Sequence, residues 1–400
     1  MGEKRKLSIA NFLKILPIRN KKIDAAASDE PKPLASYKPN RLAMVLHPGR
    51  QALKVAAVAD VSEDVRLYTL VPDREAGTES LAPFGAGSYV SVEIETDGCV
   101  FRRPYSITSS PGDAVRGRYE IAVRAVPDGK VSKYIHENWA PGTRVTASEP
   151  AGEFQYEPLR DAPTVICVAG GTGITPFRSM IRAILEGSED FRLTLIYGAR
   201  YESDLLFRDE LEEAARLDPR IRIVYVLSDE EIPGREHGYV TAEIIRRYAP
   251  IAGPYSVFVC GPQAMYRHLG NEIPKLGLRR KYVRYEMFGQ ISDPTLEPDY
   301  VKPEKEIFTV TVIQNGAEKK IPCRFDESLL SAMERAGIRA PSLCRSGECG
   351  FCHSKLVSGN CYIPERQDRR READRIYGYI HPCCAFPLSD VTLDVPGCPS

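Results

Sequence analysis

From Leu53 onward, short runs alternate apolar and polar positions with a period of two: Leu53–Ala59, Val65–Val71, Tyr89–Glu95, Cys99–Thr108, Arg118–Val126 and Arg144–Glu149. Turn signals at Pro72-Asp73, Asp97-Gly98, Pro111-Gly112 and Pro141-Gly142 separate them. The pattern predicts strands with one buried face. Many short strands at regular spacing predict a small antiparallel β-barrel. One helix, Ser132 to about Trp139, interrupts them. At Ala162 the period changes. Thr164–Ala169 is apolar without alternation, and Arg192–Gly198, Arg222–Leu227, Ser256–Cys260 and Lys281–Glu286 continue as strands. Helices are predicted after the first of these through Leu185, then near Arg208–Arg216, Thr241–Tyr248 and Pro262–Leu276. Strands apolar on both faces and alternating with helices predict a doubly wound parallel α/β sheet. A third pattern starts at Phe308–Ile313, turns at Asn315-Gly316 and returns along Lys319–Phe325. A helix at Ser328–Ala336 and a closing strand at Val391–Val395 make it an α+β domain.

These changes divide the chain into a multidomain array. An extension and linker occupy 1–50, the barrel 51–158, the α/β domain 159–289, a second linker 290–305 and the α+β domain 306–400. The second linker holds Pro294, Pro298 and Pro303 among acidic residues, which stiffens it. Residues 1–22 carry Lys4, Arg5, Lys6, Lys14, Arg19, Lys21 and Lys22 against Glu3. Ile9, Phe12, Leu13 and Leu16 share one helical face, and Pro17 is expected to stop that helix. Asn11 and Lys14 interrupt the apolar run, which argues against a signal peptide. A basic face over residues 4–16 suits a membrane surface or a partner, with a frayed tail as the plainer alternative. Residues 23–40, rich in Ala, Pro, Ser and Lys, read as linker.

Lys+Arg and Asp+Glu balance at 54 each. No global field therefore argues for nucleic acid. No run reaches the roughly 18 apolar residues of a membrane helix. The expected location is cytoplasmic, with peripheral membrane contact as the alternative.

The densest chemistry is Cys344-Arg-Ser-Gly-Glu-Cys349-Gly-Phe-Cys352, with more thiols downstream in His381-Pro-Cys383-Cys384-Ala-Phe-Pro387. Two irons bridged by two sulfides want four thiolates, and Gly347 and Gly350 let the loop turn sharply. A zinc site would want two spaced pairs, whereas the second pair here is adjacent. A Rieske centre would need two histidine ligands at one iron, and neither His353 nor His381 has that spacing. Eleven cysteines in 400 residues without a signal peptide disfavour disulfides. The loop resembles that of plant-type [2Fe–2S] ferredoxins. The resemblance implies Cys344, Cys349 and Cys352 as ligands, with Cys383 rather than Cys384 as the fourth. Such ferredoxins place the last cysteine four residues before a proline, here Pro387.

Upstream, Arg103-Pro-Tyr105-Ser106 combines a phosphate partner, a flat ring and a hydroxyl. It resembles the R-x-Y-S flavin motif of the ferredoxin–NADP reductase superfamily. Gly129-Lys-Val131-Ser132 opens the predicted helix, with Ser132 as N-cap and free N–H groups for a pyrophosphate. This start resembles the FAD-binding members, and FMN is the second choice. Gly170-Gly171-Thr172-Gly173-Ile174-Thr175-Pro176 joins strand to helix, where dinucleotide phosphates bind. With Cys260-Gly261-Pro262, it resembles the nicotinamide half of the same superfamily. The resemblance puts Cys260 near the hydride-donating carbon, although a buried core thiol is the plainer reading. It makes Glu286-Met-Phe288 the closing motif over the flavin edge, with Glu286 able to relay protons. Arg200 suits a 2′-phosphate, whereas Asp229, Glu230 and Glu231 suit a ribose diol, so NADH is expected.

Over about residues 54–396 the chain resembles the reductase components of oxygenase systems, a group that includes the phthalate dioxygenase and phenylacetyl-CoA epoxidase reductases. The resemblance implies that hydride leaves NADH beside Ser106, and that single electrons leave through the cluster to a partner protein. Two features depart from it: the N-terminal extension, and Arg366, Arg369, Arg370, Arg371 and Arg375, where plant-type ferredoxins are usually acidic. An electron-delivery subunit of a membrane-associated or corrinoid-activating complex is the second reading, and a redox sensor without nicotinamide turnover is the third.

Overall fold

The computed structural model describes residues 9–27, 33, 36–127, 129–287, 289 and 291–398. Residues 4–8 of the basic segment, and Phe288 of the closing motif, lie outside that set. The chain separates into two units, Met1–His47 and Pro48–Ser400.

The first unit holds the helices Ile9–Ala26 and Lys38–Leu46. Pro17 does not stop the first helix but lies inside it. A proline there forfeits one N–H bond, and the helix-compatible run Ile18–Ala26 continues past it. The second helix replaces part of the expected linker, with Pro39 in its first turn, where a missing N–H costs nothing. It buries none of its side chains. Among the described residues no helix is long and apolar enough to cross a membrane.

In the second unit, six antiparallel strands run in the order Cys99–Ser106, Tyr89–Thr96, Arg144–Ser148, Arg50–Asp60, Val65–Pro72 and Tyr119–Arg124. A bridge between Ile107 and Ile121 links the two end strands and closes the barrel. Its interior holds Leu53, Tyr68, Val92, Ile121 and Trp139. The helix expected from Ser132 starts two residues earlier, at Lys130, and ends at Asn138. Gly129, not Ser132, is its N-cap. The Ser132 hydroxyl instead donates to the Gly129 carbonyl and accepts the Val126 N–H, tying the loop to the first turn. A short helix, Pro111–Val115, forms where a turn was expected. Ser110 and Asp113 cap it reciprocally.

The α/β sheet is parallel throughout. Its order is Glu236–His237, Ile221–Leu227, Arg192–Ala199, Thr164–Gly170, Ser256–Cys260 and Val283–Glu286. Phe177, Met180 and Ile184 of the helix Thr175–Leu185 cover one face. Ile244, Ile245 and Leu269 cover the other. Burial on both faces explains the unbroken apolar strands.

The C-terminal sheet has the order Ala317–Arg324, Ile307–Gln314, Val391–Asp394, Ser354–Ser358 and Tyr379–Ile380. Asn315 and Gly316 both take positive φ, 52° and 79°, as a tight hairpin demands. Pro322 is tolerated because its strand is an edge. The helix here is Leu329–Arg335, capped by Ser328. The residues after the first linker positions pack rather than span: Ile291 and Tyr300 sit against Tyr362 and Phe386, and Glu297 pairs with Arg366 at 2.5 Å.

Buried charges join these parts. Arg178 donates to Glu120 of the barrel at 2.8 Å and to Glu210 at 2.9 Å, and Ser179 donates to the Ser109 carbonyl. Arg284, on the strand that ends at Glu286, pairs with Asp161 at 2.5 Å and donates to the Glu153 carbonyl at 2.7 Å. Both side chains of the Arg284–Asp161 pair are almost wholly excluded from solvent. Removing one partner of such a pair leaves an uncompensated buried charge, worth about 3–5 kcal/mol. Arg284→Met should therefore lower the melting transition of the α/β domain in calorimetry. An unchanged transition would show that the pair holds nothing in place.

Candidate functional site

Arg103, Tyr105 and Ser106 lie on the strand Cys99–Ser106. Side chains alternate along a strand, so Ser106 faces away from Arg103 and Tyr105. Tyr105 packs against the barrel interior. The Ser106 hydroxyl is buried and has no hydrogen-bond partner among the described residues. Arg103 Nη1 donates to the Arg102 carbonyl at 2.8 Å and to Glu334 of the C-terminal domain at 3.1 Å. Gly129 heads the helix Lys130–Asn138 with no side chain capping it, which leaves its first N–H groups for an anion. Val131 is buried in the barrel core. A waiting hydroxyl, an open helix start and an arginine with one nitrogen engaged fit a flavin with a phosphate chain.

The glycine-rich turn leaves the strand Thr164–Gly170 as a single turn, Gly171–Ile174, before the helix. The Thr175 hydroxyl donates to the Thr172 carbonyl at 2.8 Å, and Pro176 fills the helix start. Gly173 is obligatory: a Cβ there would lie 2.1 Å from the Cys260 carbonyl oxygen. The two loops of the nicotinamide motif therefore touch through backbone. Beside them opens a cavity of about 1510 Å³, lined by Gly171, Arg200, Asp229, Pro262 and Met265 from the sheet and by Asp64 and Arg124 from the barrel. Its size and mixed lining fit a dinucleotide.

The three acids expected at the ribose do not act together. Asp229 lines the cavity and accepts from Arg200 Nε at 2.6 Å. Glu230 turns away to accept the Glu202 N–H at 2.8 Å. Glu231 is exposed beside His237. The turn after the strand fans these neighbours in different directions, which residue order does not reveal.

Cys260 is buried at the end of its strand and is not among the residues lining the large cavity. Burial pushes its thiol up, with Glu286 adding to the effect. Glu286 is 3% exposed, and burial, then Glu348 and Cys344, push its carboxyl well above the usual range. Tyr266, four residues after Pro262, was not singled out in the sequence. Its hydroxyl donates to the Glu286 carbonyl and accepts the Gly261 N–H at 3.0 Å, fastening the Cys-Gly-Pro turn to the closing strand.

In the C-terminal domain, Arg345, Gly347 and Gly350 all take positive φ. This curls the loop so that the N–H groups of Ser346 and Cys349 point at Cys344 Sγ, at 3.4 and 3.3 Å, and that of Phe351 at Cys349 Sγ, at 3.4 Å. Donors of this kind stabilise thiolates and tune clusters. The Cys344 thiol meets those of Cys349 and Cys383, and Cys383 also meets Cys352 and its neighbour Cys384. Cys384 Sγ donates away, to the carbonyls of His381 and Gln367. His381 donates to the Gly347 carbonyl and His353 to Asp374, so both rings are engaged elsewhere. Among the described residues no three metal-binding side chains meet closely enough for a single ion. Four thiols with N–H donors around them fit a cluster instead.

Tyr89 links the three sites, and no sequence motif marked it. It stands directly opposite Ser106 across the strand pair. It also lies within electrostatic reach of Cys344, Cys349, Glu286 and Glu348.

Comparison with known proteins matches this arrangement. Three family descriptions apply: an oxidoreductase FAD-binding domain over residues 52–156, an oxidoreductase NAD-binding domain over 167–270, and a 2Fe-2S iron-sulfur cluster binding domain over 312–388. The chain is 30% identical over 342 residues to the heme-dependent oxidative N-demethylase beta subunit of Ectopseudomonas mendocina, covering 84% of this chain and 97% of that one. It is 27% identical to the glycine betaine monooxygenase reductase subunit of Chromohalobacter salexigens, covering 86% and 95%. Among solved structures, phthalate dioxygenase reductase, described as a modular structure for electron transfer from pyridine nucleotides to [2Fe–2S], superposes with a TM-score of 0.61 at 25% identity, covering 88% of this chain and 98% of that one. The chain belongs to the ferredoxin–NAD(P)H reductase superfamily, as an NAD(P)H-dependent oxidoreductase with flavin, nicotinamide and [2Fe–2S] domains in one polypeptide.

Proposed function

We propose that the protein oxidises NADH and supplies single electrons to a separate oxygenase-type protein. The observation that carries this reading is that Tyr89, paired opposite Ser106, also lies within electrostatic reach of Glu286 and Cys344. Flavin accepts hydride and releases electrons singly, and a [2Fe–2S] cluster carries one at a time. The chain's own residues hold and separate these groups. Ser106 offers its unpartnered hydroxyl to a ring nitrogen, and Tyr105 offers its ring. Arg103 and the helix start at Gly129, Val131 and Ser132 take the phosphates, which favours FAD over FMN. Gly171, Thr172, Gly173, Thr175 and Pro176 form the dinucleotide turn, and Gly261 and Pro262 face it. Cys260 and the buried Glu286 close the hydride site. Cys344, Cys349, Cys352 and Cys383 hold the cluster.

The relatives named above are a monooxygenase reductase subunit and a demethylase subunit. That favours an oxygenase or demethylase acceptor over a membrane-associated or corrinoid-activating complex. Residues 4–16 are assigned a contact role toward the acceptor or a membrane surface. A screen of acceptor proteins, with and without residues 1–40, tests this. Reduction of a corrinoid protein but of no oxygenase would sink the reading.

Cys383→Ser should abolish or severely perturb the reduced-state EPR signal of the cluster, whereas Cys384→Ser should leave it in place. The reverse outcome would overturn the ligand assignment.

Arg200 is paired through Nε with Asp229, so a 2′-phosphate drawn to its guanidinium would sit beside a like-charged carboxylate. The ratio of kcat/KM for NADH over NADPH should exceed one, and Asp229→Ala should shift it toward NADPH by freeing the guanidinium. A native preference for NADPH would show that Arg200 governs the site alone.

Flavin extracted from the purified protein should be FAD by mass spectrometry. Recovery of FMN alone would remove the pyrophosphate role given to the Lys130–Asn138 helix.

A further inference from the structure

Arg103 belongs to the flavin motif, yet its Nη1 reaches Glu334 in the ferredoxin domain at 3.1 Å. Glu334 is 4% exposed. Its second oxygen accepts from Arg345 Nη1 at 2.5 Å. Arg345 directly follows Cys344 and is 2% exposed. Its φ of 59° lies in the left-handed region, where a non-glycine residue persists only if its surroundings fix it. Arg345 Nη2 also donates to Ser331 Oγ at 3.1 Å, on the same helix as Glu334. One buried carboxylate therefore grips two guanidiniums, one from the flavin strand and one from the cluster loop.

The arrangement has a definite sign. Burial, and then the like charge of Arg345, push the Arg103 guanidinium down, and Glu334 offsets this. The side chain of Arg103 is still open on its other edge. Its guanidinium has five donors in a rigid fork, and among the described residues only Nη1 makes a hydrogen bond. A phosphate can therefore occupy the rest of the fork while Glu334 keeps Nη1. Alternating charges would then run from the phosphate through Arg103, Glu334 and Arg345 to the backbone beside a cluster ligand. Neighbouring contacts across the same seam are weaker: Arg102 Nη1 donates to the Ala340 carbonyl at 3.3 Å, and Cys99 Sγ to the Arg335 carbonyl at 3.8 Å.

We propose that Glu334 is a positioning residue for flavin-to-cluster electron transfer, which fixes the cluster loop and docks it on the flavin strand through Arg345 and Arg103. This rests on the reading that electrons pass from the flavin site to the cluster. Removing the carboxylate charge leaves two cations facing each other across the seam. They should push the ferredoxin domain away from the barrel while each domain keeps its own core.

The test is Glu334→Gln in the full-length protein with both cofactors loaded. Flavin reduction by NADH should be unchanged in anaerobic stopped flow. Cluster reduction should slow by about tenfold or more, since a misplacement of about 1 Å can cost about 100-fold in rate. Added salt should restore part of that rate by screening the arginines. Small-angle scattering should show a larger radius of gyration than the native protein. Cluster reduction at the native rate with unchanged scattering would overturn the proposal. So would slow cluster reduction that ignores salt and comes with an altered reduced-state EPR signal, because that marks a local loop defect. If the Gln variant fails to retain its cluster, Glu334→Asp replaces it: a shortened carboxylate that behaves as native would overturn the proposal, and an intermediate rate would support it. The native protein tests the underlying reading separately. A cluster that stays oxidised beside reduced flavin would sink the electron route, while the scattering comparison would still decide whether Glu334 holds the domains together.

Discussion

Three redox sites must lie close together although each is built by a domain with its own core. That constraint shapes the second unit. Each domain has an apolar cluster of its own, although the one under a face of the parallel sheet also takes in Val65, Ala86, Ala122 and Phe154 of the barrel. The sites themselves lie at the edges of these cores. They do so where strands end: Ser106 ends a barrel strand, Glu286 ends the last parallel strand, and Cys344 opens the loop after a short helix. Tyr89, opposite Ser106, lies within electrostatic reach of Glu286 and Cys344. Strand ends are where a rigid scaffold can present side chains without interrupting its own ladder.

Buried arginine–carboxylate pairs reinforce the seams between domains, beside an apolar contact in which Phe154 of the barrel packs on Phe177 and Phe258. Arg178 with Glu120 and Arg103 with Glu334 cross a boundary between domains, and Arg284, paired with Asp161 in its own domain, reaches across to the Glu153 carbonyl. Desolvating such pairs makes them poor sources of stability, but geometry-dependent bonding makes them selective about orientation. Apolar seams would tolerate sliding. A reductase that must keep a hydride site, a flavin site and a cluster in register gains more from bonds that fail when displaced.

Local patterns revealed the elements, and most of the motifs, because each depends on neighbours in the chain. Alternation showed the barrel strands, unbroken apolar runs showed the parallel sheet, and Asn315-Gly316 showed its hairpin. What was not legible depends on partners far away in sequence. Asp229, Glu230 and Glu231 read as one acidic group, yet Glu202 and Arg200 draw two of them in different directions. Ser132 has the chemistry of an N-cap, but the Val126 N–H and the Gly129 carbonyl claimed its hydroxyl. Pro17 reads as a stop, although a proline costs a helix a single bond and a flanking run of helix formers can outweigh that. Tyr89 and Glu334 carried no signal because their roles exist only across an interface.

The arginines between the last two cluster cysteines show how charge counted along a chain differs from charge presented to a partner. Arg366 is spent inward on Glu297, and Arg370 on Asp368. Arg369, Arg371 and Arg375 remain exposed, and Asp374 beneath Arg371 is buried. Of the segment's acids, Asp368 and Asp374 lie under the arginines, whereas Glu365 and Glu372 stay at the surface. The outward face sets Arg369, Arg371 and Arg375 against Glu365 and Glu372, so it is basic by less than five arginines suggest. Beside it the cluster loop turns Cys349 and Phe351 to solvent. Charge and apolar surface thus lie on the exposed side of this domain, although only part of the arginine charge counted along the chain contributes to it.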